Sequence, residues 1–351
     1  MYFDSDGSTV NPALSIKASN KRVSIGNDST PDSKLHIKEA DQDTNPVIKI
    51  ENTTSSGHTA IELTRNGADE FITWDGSTLA IAGTNIAASA IKDIGLIKLS
   101  ANWMAASGEN REDLALRKGV EALSKIAVDL RVSIPVGKDS LSMKTKWSEG
   151  SNELEVTSPL SGVVTAMAPV GDISIAVTPE LHVDKDSTII LVKLNNASRL
   201  SGSIFSEVTQ SVYVNTPDID DVTKFKDMFL MVQQLIKDRK LLAMHDISDG
   251  GLITTLAEMC FTKKIGMDID VSIFDNTNES LFSEEIGFVL QASNANCDEI
   301  ISSFLENNLF ASKIASLADE SLTILKDGEI LFNESITCSS NLLSKILGKY
   351  C

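Results

Sequence analysis

The chain has 351 residues, of which 42% are apolar, and a formal net charge of −18. That length predicts two or three domains with cores of their own. So acidic a field repels a phosphate backbone and excludes nucleic acid as a general partner. A small anionic nucleotide is not excluded, because backbone N–H groups or a cation can meet it locally.

The first ten residues, MYFDSDGSTV, have neither a basic head nor an apolar stretch and do not read as a secretory signal. Residues 1–82 are rich in Ser, Thr, Asn, Asp and Gly. Short alternating runs recur there: KLHIKEA, PVIKIEN, TAIELTR, EFITWDG and TLAIAG. Turn signals such as DSDGS, RNGAD and WDGST separate them. This spacing predicts a β-rich leader of many short strands with no amphipathic helix longer than a turn or two. Such strands bury little area each, so trimerisation is the expected source of stability.

From about Thr84 helices and strands alternate. Glu112 to Leu130 places Leu116, Val120, Leu123, Ala127 and Leu130 on one helical face. Ser161 to Val170 and Thr188 to Leu194 read as strands. Lys224 to Lys240 is a second amphipathic helix, with Phe225, Met228, Val232, Leu235 and Ile236 inward. Gly251 to Cys260 is a third. Ile286 to Ala292 is a strand, Asp298 to Asn307 a helix, and Leu322 to Phe332 a hairpin around Asp327-Gly328. The sum is a mixed α/β (α+β) fold. Its two subdomains, residues 84–180 and 187–349, meet where Pro179 and a charged stretch interrupt the pattern. No run approaches the roughly 18 apolar residues of a membrane span, so no membrane partner is expected. Cys260, Cys297, Cys338 and Cys351 form no CxxC pair and read as free thiols of a reducing cytoplasm.

Three stretches carry polar chemistry. MHDISDGGLITTLAEM runs from Met244 to Met259. On one reading it is a strand, a tight turn at Gly250 and Gly251, and a helix capped by Ser248 or Asp249. On the other, Asp246 holds a magnesium ion while Ser248 and nearby N–H groups meet phosphate oxygens. IPVGKDSLSMKTKW offers Gly137, Lys138, Asp139 and Ser140. It lacks the upstream glycine of a P-loop, and a solvated loop is its plain reading. LSANWMAA sets Ser100 and Asn102 beside Trp103, and its plain reading is an N-cap with a packed tryptophan.

In chain order these stretches are more specific than any one of them. TNIAASAIKDIGLIKLSANWMAA, IPVGKDSLSMKTKW, TSPLSGVV, LLAMHDISDGGLITTLAEM and LFSEEIGFVLQ together resemble phosphoribosylformylglycinamidine synthase in its large single-chain form. The likeness runs from about Thr84 to about Ser335 and covers the second synthetase half. It implies an aminoimidazole-ribonucleotide-synthetase-like fold, a ferredoxin-like subdomain followed by a C-terminal α/β subdomain. It implies an ATP-dependent purine-pathway reaction, in which ATP activates a formamide oxygen and ammonia displaces phosphate. Mg²⁺ and ATP or ADP are the implied cofactors, and a small nucleotide is the implied substrate. Asn85 and Asp246 look like magnesium ligands, and Ser248 like an ATP contact. Gly137, Lys138 and Ser140 look like the segment that meets nucleotide and substrate phosphate, and Ser100 lies where the family approaches ATP.

The departures carry expectations too. Ile81 stands where the family has a glutamate ligand, four residues before Asn85. The first synthetase half and the glutaminase have no counterpart in this sequence. Little or no synthase activity is therefore expected of the chain alone, with a complementing half or a second copy as partner. Residues 1–82 have the texture of phage tail-fibre segments, and this resemblance implies the alternative of a structural protein carrying a captured metabolic domain.

Overall fold

The computed structural model describes residues 14–17, 22–26, 35–38, 64–65, 68–69, 77–183 and 186–336. The chain forms two compact units, Met1–Asp69 and Glu70–Cys351. In the first, strands β1 (Leu14–Lys17), β2 (Arg22–Gly26) and β3 (Leu35–Lys38) form one sheet. β1 and β2 run antiparallel, and β2 and β3 parallel. β4 (Thr64–Arg65) and β5 (Ala68–Asp69) pair on either side of Asn66-Gly67, as the RNGAD signal predicts. The runs expected at PVIKIEN and EFITWDG, and most of TAIELTR, lie outside the described residues.

The second unit opens with helix α1 (Ser77–Ile86). This corrects the strand expected at TLAIAG and the absence of helix expected there. A four-residue apolar run fits either structure, and packing decides between them. As a helix it buries Ala82 and, one turn on, packs Ile86 against the core. Strand β6 (Lys98–Met104) follows, then α2 (Asn110–Leu130), β7 (Ser133–Ser140), the hairpin β8 (Lys144–Glu149) and β9 (Asn152–Thr157), and β10 (Ser161–Met167). The small sheet runs β10-β6-β7. β6 and β7 are parallel, and such neighbours need a crossover, here supplied by α2. Leu99, Ala101 and Trp103 of β6 are buried, alternating with half-buried Ser100, Asn102 and Met104. α2 buries Leu123, Ala127 and Leu130 as its spacing predicts, but Val120 is exposed.

The rest builds β11 (Ser187–Lys193), α3 (Ile204–Thr209), α4 (Val222–Lys237), β12 (Leu241–Asp246), α5 (Gly251–Phe261), β13 (Gly266–Asp270), α6 (Thr277–Phe282), β14 (Gly287–Ser293), α7 (Asn294–Glu306), β15 (Phe310–Ala318), β16 (Ser321–Lys326) and β17 (Glu329–Ser335). Seven strands form one sheet in the order β12-β14-β11-β15-β13-β16-β17. Every pairing is antiparallel except β13 with β16. Ile189 to Val192 of β11 are apolar without alternation because both faces are covered. Ile190 and Val192 join the core of α2, α4 and α7, while Ile189 and Leu191 join that of α5 and β13. The first of these cores also takes in α1 and the small sheet. It thereby brings the end of α1 next to β12. The Asp327-Gly328 turn has φ of 52° and 82°, as a two-residue hairpin of this kind requires.

Candidate functional site

The described end of α1 meets the described end of β12. Thr84 Oγ1 donates to Asp246 Oδ2 at 3.1 Å, a buried hydrogen bond across 162 positions. Asn85, the next residue, is exposed. Two stretches quoted separately from the sequence are therefore neighbours. Asp246 is 8% exposed. Its other oxygen lies 3.3 Å from His245 Nδ1, and His245 Nε2 lies 3.2 Å from Glu258 Oε2 on α5. The imidazole pKa is raised, chiefly by the hydrogen bond with Asp246, against the opposing effect of burial and with help from Glu258. Thr255 Oγ1 donates to the Asp246 carbonyl at 3.3 Å and anchors the strand end to α5.

The turn 247–251 departs from its expected capping. Gly250 is the N-cap of α5, and no side chain caps the helix. Neither Ser248 nor Asp249 serves, because φ of +85° at Gly250 and +73° at Gly251 turns the chain before either can reach back. Ser248 is half-buried, and its carbonyl accepts the Gly251 N–H at 3.0 Å. The acceptor for the Gly250 N–H is Glu284 Oε1, at 2.9 Å. Glu284 lies within LFSEEIGFVLQ, and nothing local separates it from Glu285 in sequence.

The other expected contacts lie on the small sheet. GKDS is not a solvated loop. It is the end of β7, hydrogen-bonded to β6, with Gly137 opposite Ala101 and Lys138 opposite Asn102. A Cβ on Gly137 would stand 2.3 Å from the Ala101 carbonyl oxygen, so this glycine answers to the neighbouring strand. LSANWM is likewise a strand rather than an N-cap. Ser100, Asn102, Lys138 and Ser140 share one face by strand alternation, and Lys138 Nζ donates to Ser140 Oγ at 2.6 Å. Gly137 and Asp139 turn to the other face. There they line a cavity of about 620 Å³ with Ala101, Trp103, Leu123 and Ala127. No hydrogen bond among the described residues joins Ser100, Lys138 or Ser140 to Asp246.

The donor set around Asp246 does not fit a divalent cation held by the protein alone. One carboxylate oxygen is engaged by Thr84 and the other faces His245. Among the described residues no group of three or more His, Cys, Asp or Glu side chains could hold a metal. Position 81 lies within α1 and is an isoleucine. Among the described residues no helix is long and apolar enough to cross a membrane. Cys260 and Cys297 are buried free thiols, both with raised pKa, Cys260 to about 12 by burial.

Residues 73–169 match the FGAR-AT PurM_N-like domain family, and residues 185–327 match the AIR synthase related protein, C-terminal domain. Among solved structures, PurL of T. maritima complexed with FGAR is similar at 11% identity and TM-score 0.55, over 76% of this chain and 43% of that one. The same protein complexed with ATP is similar at 12% identity and TM-score 0.54, over 76% of this chain and 41% of that one. E. coli HypE, a hydrogenase maturation protein, is similar at 14% identity and TM-score 0.49, over 72% of this chain and 77% of that one. The chain thus spans about four tenths of the PurL chains it matches. It carries in tandem an N-terminal-type and a C-terminal-type domain of the AIR-synthase-related fold.

Proposed function

We propose that the chain supplies one nucleotide-binding half of an ATP-dependent synthetase of the phosphoribosylformylglycinamidine synthase type. The observation that carries this reading is the Thr84–Asp246 hydrogen bond. It ties two stretches of the family pattern together at the mouth of an α-helix whose first N–H groups have no side-chain cap. The helix-start N–H groups beyond Gly250 and Gly251, which already donate to Glu284 and Ser248, and the Ser248 hydroxyl are donors of the kind that meet phosphate oxygens. Lys138, Ser140 and Ser100, on one face of the small sheet, are the groups offered to a second anionic or polar part of the ligands. The described residues alone do not furnish a cation site, so a magnesium ion bound with the nucleotide would take the nucleotide's phosphates as its main ligands. The two domain matches in order, and a fold similar to PurL over 76% of this chain, support the same reading.

Formamide activation and ammonia delivery need groups beyond these residues, from another synthetase half and an ammonia source. These residues by themselves are expected to bind nucleotide without turning it over. ADP with magnesium is expected to raise its Tm, because a ligand at about 100 times its Kd adds roughly 2.7 kcal/mol of stability. Ser248→Ala is expected to blunt that rise. No rise in the wild type would contradict the reading. Phosphate release from ATP with formylglycinamide ribonucleotide and ammonium, by the chain alone, would contradict the need for those further groups.

A further inference from the structure

Glu284 stands where three segments remote in sequence come together. Its Oε1 accepts the backbone N–H of Gly250, the residue that opens α5, at 2.9 Å. The same oxygen accepts the backbone N–H of Ile204, the first residue of α3, at 2.9 Å. These donors are 34 and 80 positions away along the chain. N–H groups at a helix start have no partner within the helix. α3 has a cap of its own, the Ser203 hydroxyl, which accepts the Ser206 N–H at 3.2 Å. α5 has no side-chain cap within its own turn, and Glu284 supplies the acceptor from another segment.

The segment that carries Glu284 is itself fixed. A Cβ on Gly251 would lie 2.6 Å from the carbonyl carbon of Phe282, so the glycine pair packs directly on that backbone. The Phe282 ring stacks on Phe205 of α3, with centroids 4.6 Å apart. Ser283 Oγ donates to the Arg199 carbonyl at 3.1 Å. Glu285 accepts two hydrogen bonds from the Arg199 guanidinium, at 2.6 and 2.7 Å. Charge-assisted bonds of this two-pronged kind hold direction as well as distance. The Glu284 carboxylate is therefore aimed by its neighbours.

We propose that Glu284 is the positioning residue of the DISDGG turn, locking Gly250 to the start of α3 so that the N–H groups of the turn keep one arrangement. It acts through the turn and touches no ligand. The proposal deepens the nucleotide reading, since that turn is the phosphate contact proposed above, but the tether is measured without nucleotide.

The test is amide hydrogen exchange by NMR on the full chain and on Glu284→Ala. The Gly250 and Ile204 amides are expected to lose protection together, roughly tenfold or more, while amides in β11 and β14 hold. Glu284→Gln keeps an acceptor oxygen and is expected to restore most of that protection. It also carries the test if the alanine variant does not fold, as a smaller loss shared by both amides. Unchanged protection in a folded variant, or loss at one amide only, overturns the tether. The second readout is the ADP dissociation constant. It is expected to rise about tenfold in Glu284→Ala and to recover largely in Glu284→Gln. Loss of protection at both amides with ADP affinity unchanged overturns the positioning role. If the wild type binds no ADP, the nucleotide reading fails, while the amides still decide the tether.

Discussion

Thr84 shows how one hydroxyl can join two domains. Its bond to the Asp246 carboxylate is buried, and hydrogen bonds to charged groups are worth about 1.5–3 kcal/mol. Thr84→Val keeps the shape and removes the donor, and urea unfolding is expected to show a loss in that range. No loss would mean that the bond contributes nothing to joining the two domains. His245, next in the chain to Asp246, carries a pH dependence. Its pKa is raised in the folded protein, chiefly through Asp246. A raised histidine contributes stability that is fully present below its unfolded value of about 6.5 and is lost as pH rises through the folded value. The urea midpoint should therefore fall as pH rises upward from about 6.5, and His245→Gln should flatten that part of the profile. A wild-type profile no steeper than the variant's would contradict the pairing.

At the scale of elements, the two glycines of the turn differ in what they meet. Gly251 faces the backbone of Leu281 to Ser283, which cannot move aside, at a φ of +73°. Gly250 faces the tip of the Thr254 side chain, which can rotate. Gly251→Ala is expected to cost roughly 2–5 kcal/mol, from strain and overpacking together, and Gly250→Ala about 1–2 kcal/mol. Equal costs from urea unfolding would contradict the packing. Elements with a clear period were legible in the sequence. α2 and α4 bury Leu123, Leu130, Phe225 and Met228 at helical spacing, and the β16–β17 turn was marked by Asp327-Gly328. β7 was not legible. It is an exposed edge strand with Pro135 and Gly137 inside it, so it shows no alternation, and only its pairing with β6 makes it a strand. α1 reads as a strand in the sequence because a short apolar run has no period of its own. Of the candidate site, the pairing of the Asp246 turn with the end of α1 is tertiary, and no local pattern announces it. The same holds for Glu284, whose two donors lie at the starts of two helices remote from it in sequence.

For the whole molecule, the two compact units predict separable stability. A chain starting at Glu70 retains both cores of the larger unit. It is expected to unfold at the urea midpoint of the corresponding transition in the full chain, and a large drop would mean that residues 1–69 support it. The central claim concerns what those cores hold in place, a turn proposed to bind nucleotide. The most direct measurement is calorimetric titration of ADP with magnesium into the full chain and into Asp246→Ala, with magnesium alone as a third titration. Saturable binding in the wild type, weakened at least tenfold in the variant, and no saturable heat from the cation alone, is the predicted result. A folded wild type that gives no heat with ADP would contradict it, and DISDGG would then be a structural turn.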